Sequence, residues 1–304
     1  MSETFPAVKY SDEVLGARRV GSPIVALEST IISHGLPRPT NFDVAQEVEE
    51  IVRQHGATPA TIAVLDGVVH IGLSAMQLRD IANRDDIVKA SSRDLAIAVA
   101  TKKSAATTVA ATAHLAVLCG IHIFATGGLG GVHRGAGQSF DESADLTALS
   151  TLDITVICAG VKSILDVGAT LERLETLAIG VVGYRTLAFP GFYLTDSGFT
   201  LEHQVESPKA IASIISARRA LSTNNSALLV ANPVLNQMEP SLHERVLASG
   251  LALASAQNIT GKDVTPFLLE HFHTHSNGES LRVNIELIKS NAALAADIAV
   301  ASAL

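Results

Sequence analysis

What most constrains this chain is an alternation: short β-branched runs, largely apolar rather than alternating, are separated by longer alanine-rich stretches with helical spacing. Residues 24–27, 61–65, 121–125, 154–158, 179–182 and 227–230 read as strands. Residues 42–55, closed by Gly56, read as a helix, as do 92–103, 107–118, 163–177, 208–221, 241–257, 265–273 and 280–301. A strand with one wet face alternates apolar and polar residues, whereas a strand apolar throughout belongs to a sheet covered on both faces. The expected fold class is therefore α/β, a single-domain α/β/α sandwich over residues 1–304 with a largely parallel central sheet. The sequence contains no internal repeat and no linker-like tract that would divide it.

Charge narrows the function. Charged residues make up 17% of the chain, against about 25% in an average domain. With 22 basic and 30 acidic residues the net charge is −8, and no basic run exceeds Lys102-Lys103 or Arg218-Arg219. Binding of a nucleic-acid polymer through its phosphates is not expected. An anionic small molecule would need lysines or arginines gathered at one site, because the field of the whole molecule repels it. Cys119 and Cys158 each sit in an apolar run outside any CxxC pattern, as buried free thiols do in a reducing compartment. The start of the chain lacks a leader pattern, and no apolar stretch approaches the roughly 18 residues of a membrane span. A cytoplasmic protein without membrane contact is expected.

In open α/β sheets chemistry collects beyond the carboxyl ends of the strands, and four such places carry polar residues. Glu28-Ser29-Thr30 follows the first strand, where a carboxylate can cap a helix or act as a general acid. Lys89-Ala90-Ser91-Ser92-Arg93-Asp94 is a basic, hydroxyl-rich opening to a helix and a plausible anion site; Thr107-Thr108-Val109 opens another helix in the same way. Thr126-Gly127-Gly128-Leu129-Gly130-Gly131-Val132-His133-Arg134-Gly135 is a Gly-rich turn, but His133 stands where a dinucleotide fingerprint needs its third glycine, and no Lys-Ser/Thr pair makes a P-loop. The acidic run Asp141-Glu142-Ser143-Ala144-Asp145 follows it. Such a run suits a hard divalent cation or is simply a solvated loop. Finally, Cys158-Ala159-Gly160-Val161-Lys162-Ser163 puts a lysine just past a buried strand. An ammonium there loses hydration, which favours the neutral amine and so a nucleophile; its plain alternative is an ion pair.

Together these segments resemble the pseudouridine-5'-phosphate glycosidase family, with its related indigoidine-cluster proteins. The likeness runs through Ala26 to Gly35, Lys89 to Leu95, Ala125 to Leu146 and Ala159 to Asp166. It continues in Phe189-Pro190-Gly191-Phe192-Tyr193, Asn232-Pro233, Thr265 to Leu269 and Ser280 to Asn284. The resemblance implies Glu28 as proton donor, Lys162 as nucleophile and Asp141 as ligand of one Mn²⁺ per subunit. It places Lys89, Val109, Ser143, Ala144 and Asp145 on the substrate, with Thr126, His133 and Asn284 as further members of the pocket. It also implies a homotrimer and reversible cleavage of the C–C glycosidic bond of pseudouridine 5'-phosphate to uracil and ribose 5-phosphate. The same residues would equally serve a metal-assisted Schiff-base lyase or aldolase on another sugar phosphate. Departures from the family pattern, such as Glu142 in place of an apolar residue, remove none of these side chains.

Overall fold

The computed structural model describes residues 8–259 and 264–303; the first seven residues, part of the stretch read for a leader, lie outside that range. Eleven strands form one sheet among the described residues. They are β1 Lys9–Tyr10, β2 Ile24–Leu27, β3 Thr58–Leu65, β4 Val68–Ile71, β5 Val88–Ala90, β6 Ala105–Thr107, β7 Ile123–Ala125, β8 Thr155–Cys158, β9 Gly180–Tyr184, β10 Gln204–Val205 and β11 Leu228–Ala231. From β3 outward the order β3-β2-β7-β8-β11-β9-β10 is parallel throughout. This is the buried parallel sheet that the apolar runs predict.

Strand β3 is long and changes partners halfway. Its first half, Thr58 to Thr61, pairs in parallel with β2. Its second half runs antiparallel to β4, through Ile62 to Leu65, and to β6, through Ala63 and Val64. Strand β5 then adds to β6, and β1 to β4. The antiparallel pairs are a departure from a purely parallel sheet, and they have a local cause: Asp66 and Gly67 turn β3 straight back into β4, with positive φ at both residues. Because β2 is parallel and β6 antiparallel to β3, the carboxyl ends of β2 and β6 meet head to head.

Twelve α-helices flank the sheet among the described residues: α1 Asp12–Val20, α2 Thr40–Gln54, α3 Ala75–Asn83, α4 Leu95–Ala100, α5 Val109–Leu118, α6 Ala136–Ser139, α7 Ala144–Leu149, α8 Val167–Thr176, α9 Pro208–Ala220, α10 Pro240–Ala256, α11 Val264–His275 and α12 Glu279–Ala303. The longest, α12, lies along β2, β7 and β8 between α2 and α9. The main apolar core runs continuously from Val14 to Ala299. A smaller cluster, including Ile32, Leu65, Leu78 and Ile81, sits under the antiparallel strands and α3.

Three helix expectations are corrected. Residues 92–103 form a single 3-10 turn followed by the short α4, so Lys89 lies in strand β5 and not at a helix start. Residues 105–107 are strand β6, and the helix begins at Val109, capped by the Thr108 hydroxyl. Residues 163–166 are irregular, and α8 starts at Val167, capped by Asp166. For α5 and α8 the capping hydroxyl or carboxylate accepts a backbone amide and stops the helix from extending backward. Cys119 and Cys158 are buried and unpaired, as expected.

Candidate active site

The meeting point of β2 and β6 is built from hydroxyls. Where β3 changes partners, the carbonyl of Ile62 accepts both the Ser29 hydroxyl at 2.7 Å and the Thr107 hydroxyl at 2.7 Å. The Ser29 oxygen accepts the Thr107 amide at 2.9 Å, and Thr112 donates to the Thr107 hydroxyl at 2.8 Å. All three side chains are fully buried. A strand that leaves one neighbour for another strands a carbonyl, and this cluster satisfies it. Glu28 is the residue before Ser29, so the seam sets where its carboxylate stands.

Glu28 caps no helix. The Thr126 hydroxyl, just past the end of β7, donates a hydrogen bond to its Oε1. Burial raises the pKa of Glu28, and Asp145 pushes in the same direction, against the pull of Lys162, the Thr126 hydrogen bond and Lys89. The carboxyl thus holds a proton to higher pH than an ordinary glutamate. Lys89 is held below the usual lysine range by burial and by the neighbouring Lys162, while Asp145 and Glu28 oppose the shift. These mutual influences place Glu28, Lys89, Asp145 and Lys162 in one electrostatic neighbourhood. His133 belongs to it too: burial lowers its pKa, Asp141 raises it, and Lys162 and Lys89 lower it further.

Lys162 is fixed through its backbone. Beyond β7 and β8 the two chains remain paired: Leu129 donates to the Gly160 carbonyl at 3.0 Å, and Lys162 to the Leu129 carbonyl at 3.1 Å. Gly160 has φ +76°, and a Cβ there would strike the Pro190 carbonyl, so the turn that delivers the lysine requires glycine. The Gly-rich turn is tight for the same kind of reason, since a Cβ on Gly130 would collide with Ser143 and Asp145. The oxygens of Asp145 accept the amides of Gly130 and Ala110, both at 2.9 Å, which ties the turn to the start of α5. Ser143 caps α7 through the Asp145 amide. Asp145 and Ser143 therefore brace the pocket wall whatever else they touch, and Ala144 is the first residue of α7.

His133 and Asp141 face each other across a small hairpin, with the His133 amide on the Asp141 carbonyl at 3.0 Å and Nδ1 3.8 Å from the Asp141 carboxylate. Among the described residues no three His, Cys, Asp or Glu side chains gather as a metal cage. Asp141 and its partly exposed surroundings fit a cation that keeps most of its own water, the manner in which Mg²⁺-like ions bind through one carboxylate. Glu142 pairs with Arg173 at 2.9 Å, and Arg134 turns away to the carbonyls of Ser163 and Ile164.

Helix α12 supplies a residue that sequence reasoning missed. Asn291, fully buried, donates to the Thr126 carbonyl at 2.8 Å and accepts from Asn232 at 2.9 Å. It holds the start of the Gly-rich turn and thereby the threonine that grips Glu28. The signal was present: Asn284 and Asn291 are seven residues apart, two polar side chains on the apolar stripe of one helix. Asn284 is 4% exposed, its Oδ1 has no partner among the described residues, and it lies under Gly127, where a Cβ would sit 3.6 Å from that oxygen.

A lysine and a protonatable glutamate at the carboxyl ends of parallel strands, beside a second lysine, define an α/β enzyme site suited to amine and acid chemistry on an anion. The chain belongs to the family described as indigoidine synthase A like protein, whose model matches residues 13–301. It is 58% identical over 298 residues to a protein from Salinispora tropica named pseudouridine-5'-phosphate glycosidase, covering 97% of this chain and 92% of that one. A protein of the same name from Geobacillus kaustophilus is 48% identical over 292 residues, covering 95% and 97%. Among solved structures, an indigoidine synthase A-like protein from Thermotoga maritima superposes with TM-score 0.89 at 35% identity, covering 99% and 98% of the two chains. The prealnumycin C-glycosynthase AlnA, solved with ribulose 5-phosphate, does so with TM-score 0.90 at 30% identity and the same coverage. No helix among the described residues is long and apolar enough to cross a membrane.

Proposed function

We propose that this chain, acting as one domain, reversibly cleaves the C–C glycosidic bond of pseudouridine 5'-phosphate, giving uracil and ribose 5-phosphate. The observation that carries the reading is that Glu28, held by Thr126, stands close enough to Lys162 and Lys89 for their charges to act on one another. The names and identities of the relatives support the substrate.

A carbon leaving group departs only if it is protonated and if its bond electrons are replaced. The Lys162 amine attacks C1' as the ribose ring oxygen leaves and takes up a proton. The nitrogen lone pair then forms a C=N bond while the C1'–C5 bond breaks, and Glu28 delivers its proton to C5 of the base. Water adds to the imine, releasing ribose 5-phosphate and the free lysine. Two of the first three amides of α5 are taken, by Asp145 and by Thr108, which leaves that of Val109 for a substrate oxygen. Lys89 supplies positive charge for the phosphate or sugar hydroxyls, and neutral His133 and Asn284 supply hydrogen bonds. Asp141 would hold Mn²⁺, which when bound neutralises negative charge near the substrate. The assembly we propose is a homotrimer; Phe140 and Leu235, 85% and 78% exposed, are apolar side chains that subunit contacts would cover.

AlnA favours a second reading, C-glycosidic chemistry on a different sugar phosphate. The test separates the two. Uracil absorbance should appear when the enzyme meets pseudouridine 5'-phosphate, and borohydride with ribose 5-phosphate should leave a reduced adduct on the peptide holding Lys162. No uracil would defeat the substrate assignment, and an adduct on Lys89 would exchange the roles of the two lysines.

A further inference from the structure

The site has a second buried carboxylate behind it. Glu49, on α2, is 7% exposed and accepts the Thr61 hydroxyl at 2.7 Å. Its other oxygen meets Arg53 at 3.2 Å, and Arg53 in turn binds Glu13 at the surface at 2.8 Å. Thr61 also lines a cavity of about 20 Å³ whose walls include Glu28, Leu27, Ile31 and Val44. That is room for one water molecule, which needs at least two polar partners, and Glu28, Thr61 and Asn41 are the polar residues of its lining. The Thr126 hydroxyl occupies Glu28 Oε1, so Oε2 is the oxygen left for such a water.

The chemistry creates a demand for this arrangement. On the proposed mechanism Glu28 gives up a proton in each turnover and must be reloaded before the next. We infer that Glu49 reloads Glu28 with its proton through the Thr61 hydroxyl and one water in this cavity. The inference rests on Glu28 being the proton donor. In the transfer, the Thr61 hydroxyl, which donates to Glu49 in this structure, turns toward the water: protonated Glu49 gives its proton to Thr61 Oγ1, Thr61 passes its own to the water, and the water passes one to the Glu28 carboxylate. One proton moves, no electrons are exchanged, and Glu49 regains its proton from solvent. The groups around the two ends are matched to this. Burial raises the pKa of Glu49, with Glu13 adding to the rise and Thr61 and Arg53 opposing it. Glu28 is raised by burial and Asp145 against Lys162, Thr126 and Lys89. A glutamate serving only to anchor Arg53 would need no hydroxyl shared with the cavity that reaches Glu28.

The test is kcat as a function of pH for Thr61→Val, Thr61→Ser and Glu49→Gln in the full-length enzyme, with Glu28→Gln alongside. Thr61→Val and Glu49→Gln should each lower kcat by about tenfold, leave KM for pseudouridine 5'-phosphate unchanged and enlarge the solvent deuterium isotope effect. Thr61→Ser, which keeps the hydroxyl, should restore the wild-type profile. Wild-type kcat and pH profile in both disrupting variants would overturn the relay. So would a loss that appears as raised KM, or one that Thr61→Ser fails to rescue. If Thr61→Val does not fold, Glu49→Gln against Glu49→Asp gives the same decision. Wild-type uracil release by Glu28→Gln would instead defeat the assignment of Glu28 itself.

Discussion

The parallel half of the sheet and its antiparallel corner contribute different things to one site. Strands β2, β7 and β8 are apolar but for the buried Thr155, lie against α12 and lead into Glu28, Thr126 and the turn to Lys162. The corner made by β5, β6 and the second half of β3 is short and rests on the smaller core. It contributes Lys89 and the start of α5. On the proposed mechanism the comparison teaches a division of labour: the parallel half would hold the groups that make and break bonds, while the corner would present charge and amides to the part of the substrate that does not react. The hydroxyl cluster at Ile62 joins the two.

Three substitutions would break or sharpen that contrast, in decreasing order of effect. Glu28→Gln keeps shape and hydrogen bonding but removes the transferable proton, so kcat should fall by roughly 10²-fold to 10⁴-fold with little change in KM. The wild-type pH profile follows from the sign of the shift: with its pKa raised, Glu28 stays a competent acid above the ordinary carboxylate range, and kcat declines as pH rises through the raised value. Loss confined to KM would move Glu28 to the binding half. Lys89→Met should do the opposite, raising KM by about tenfold to a hundredfold, the worth of a charged hydrogen bond, while kcat changes little. A collapse of kcat instead would place Lys89 among the reacting groups.

The smallest expected effect lies in the seam. Thr107→Val removes one of the two donors to the Ile62 carbonyl and the partner of Thr112. Stability should fall by about 1–3 kcal/mol, read as a lower denaturation midpoint, with activity reduced only through the fraction folded. An unchanged midpoint would mean that the corner is not held to the parallel half by these hydroxyls.

The sequence by itself determined the parallel sheet, because strands apolar on both faces can be buried only between layers of helices. It also singled out the candidate side chains, since Glu28 and Lys162 closely follow such strands and Lys89 stands in a basic, hydroxyl-rich segment of an acidic chain. It misplaced Lys89 and Thr107 at helix starts. Their strands are three residues long, and a run of that length has no periodicity to read; pairing with β3 makes it a strand. Tertiary structure alone decided that β2 and β6 meet end to end, that Asp145 spends both oxygens on backbone amides, and that Asn291 braces the threonine that grips Glu28. Each of these joins residues far apart in the chain. Local patterning records which face of an element is buried, but not which distant group will meet it there.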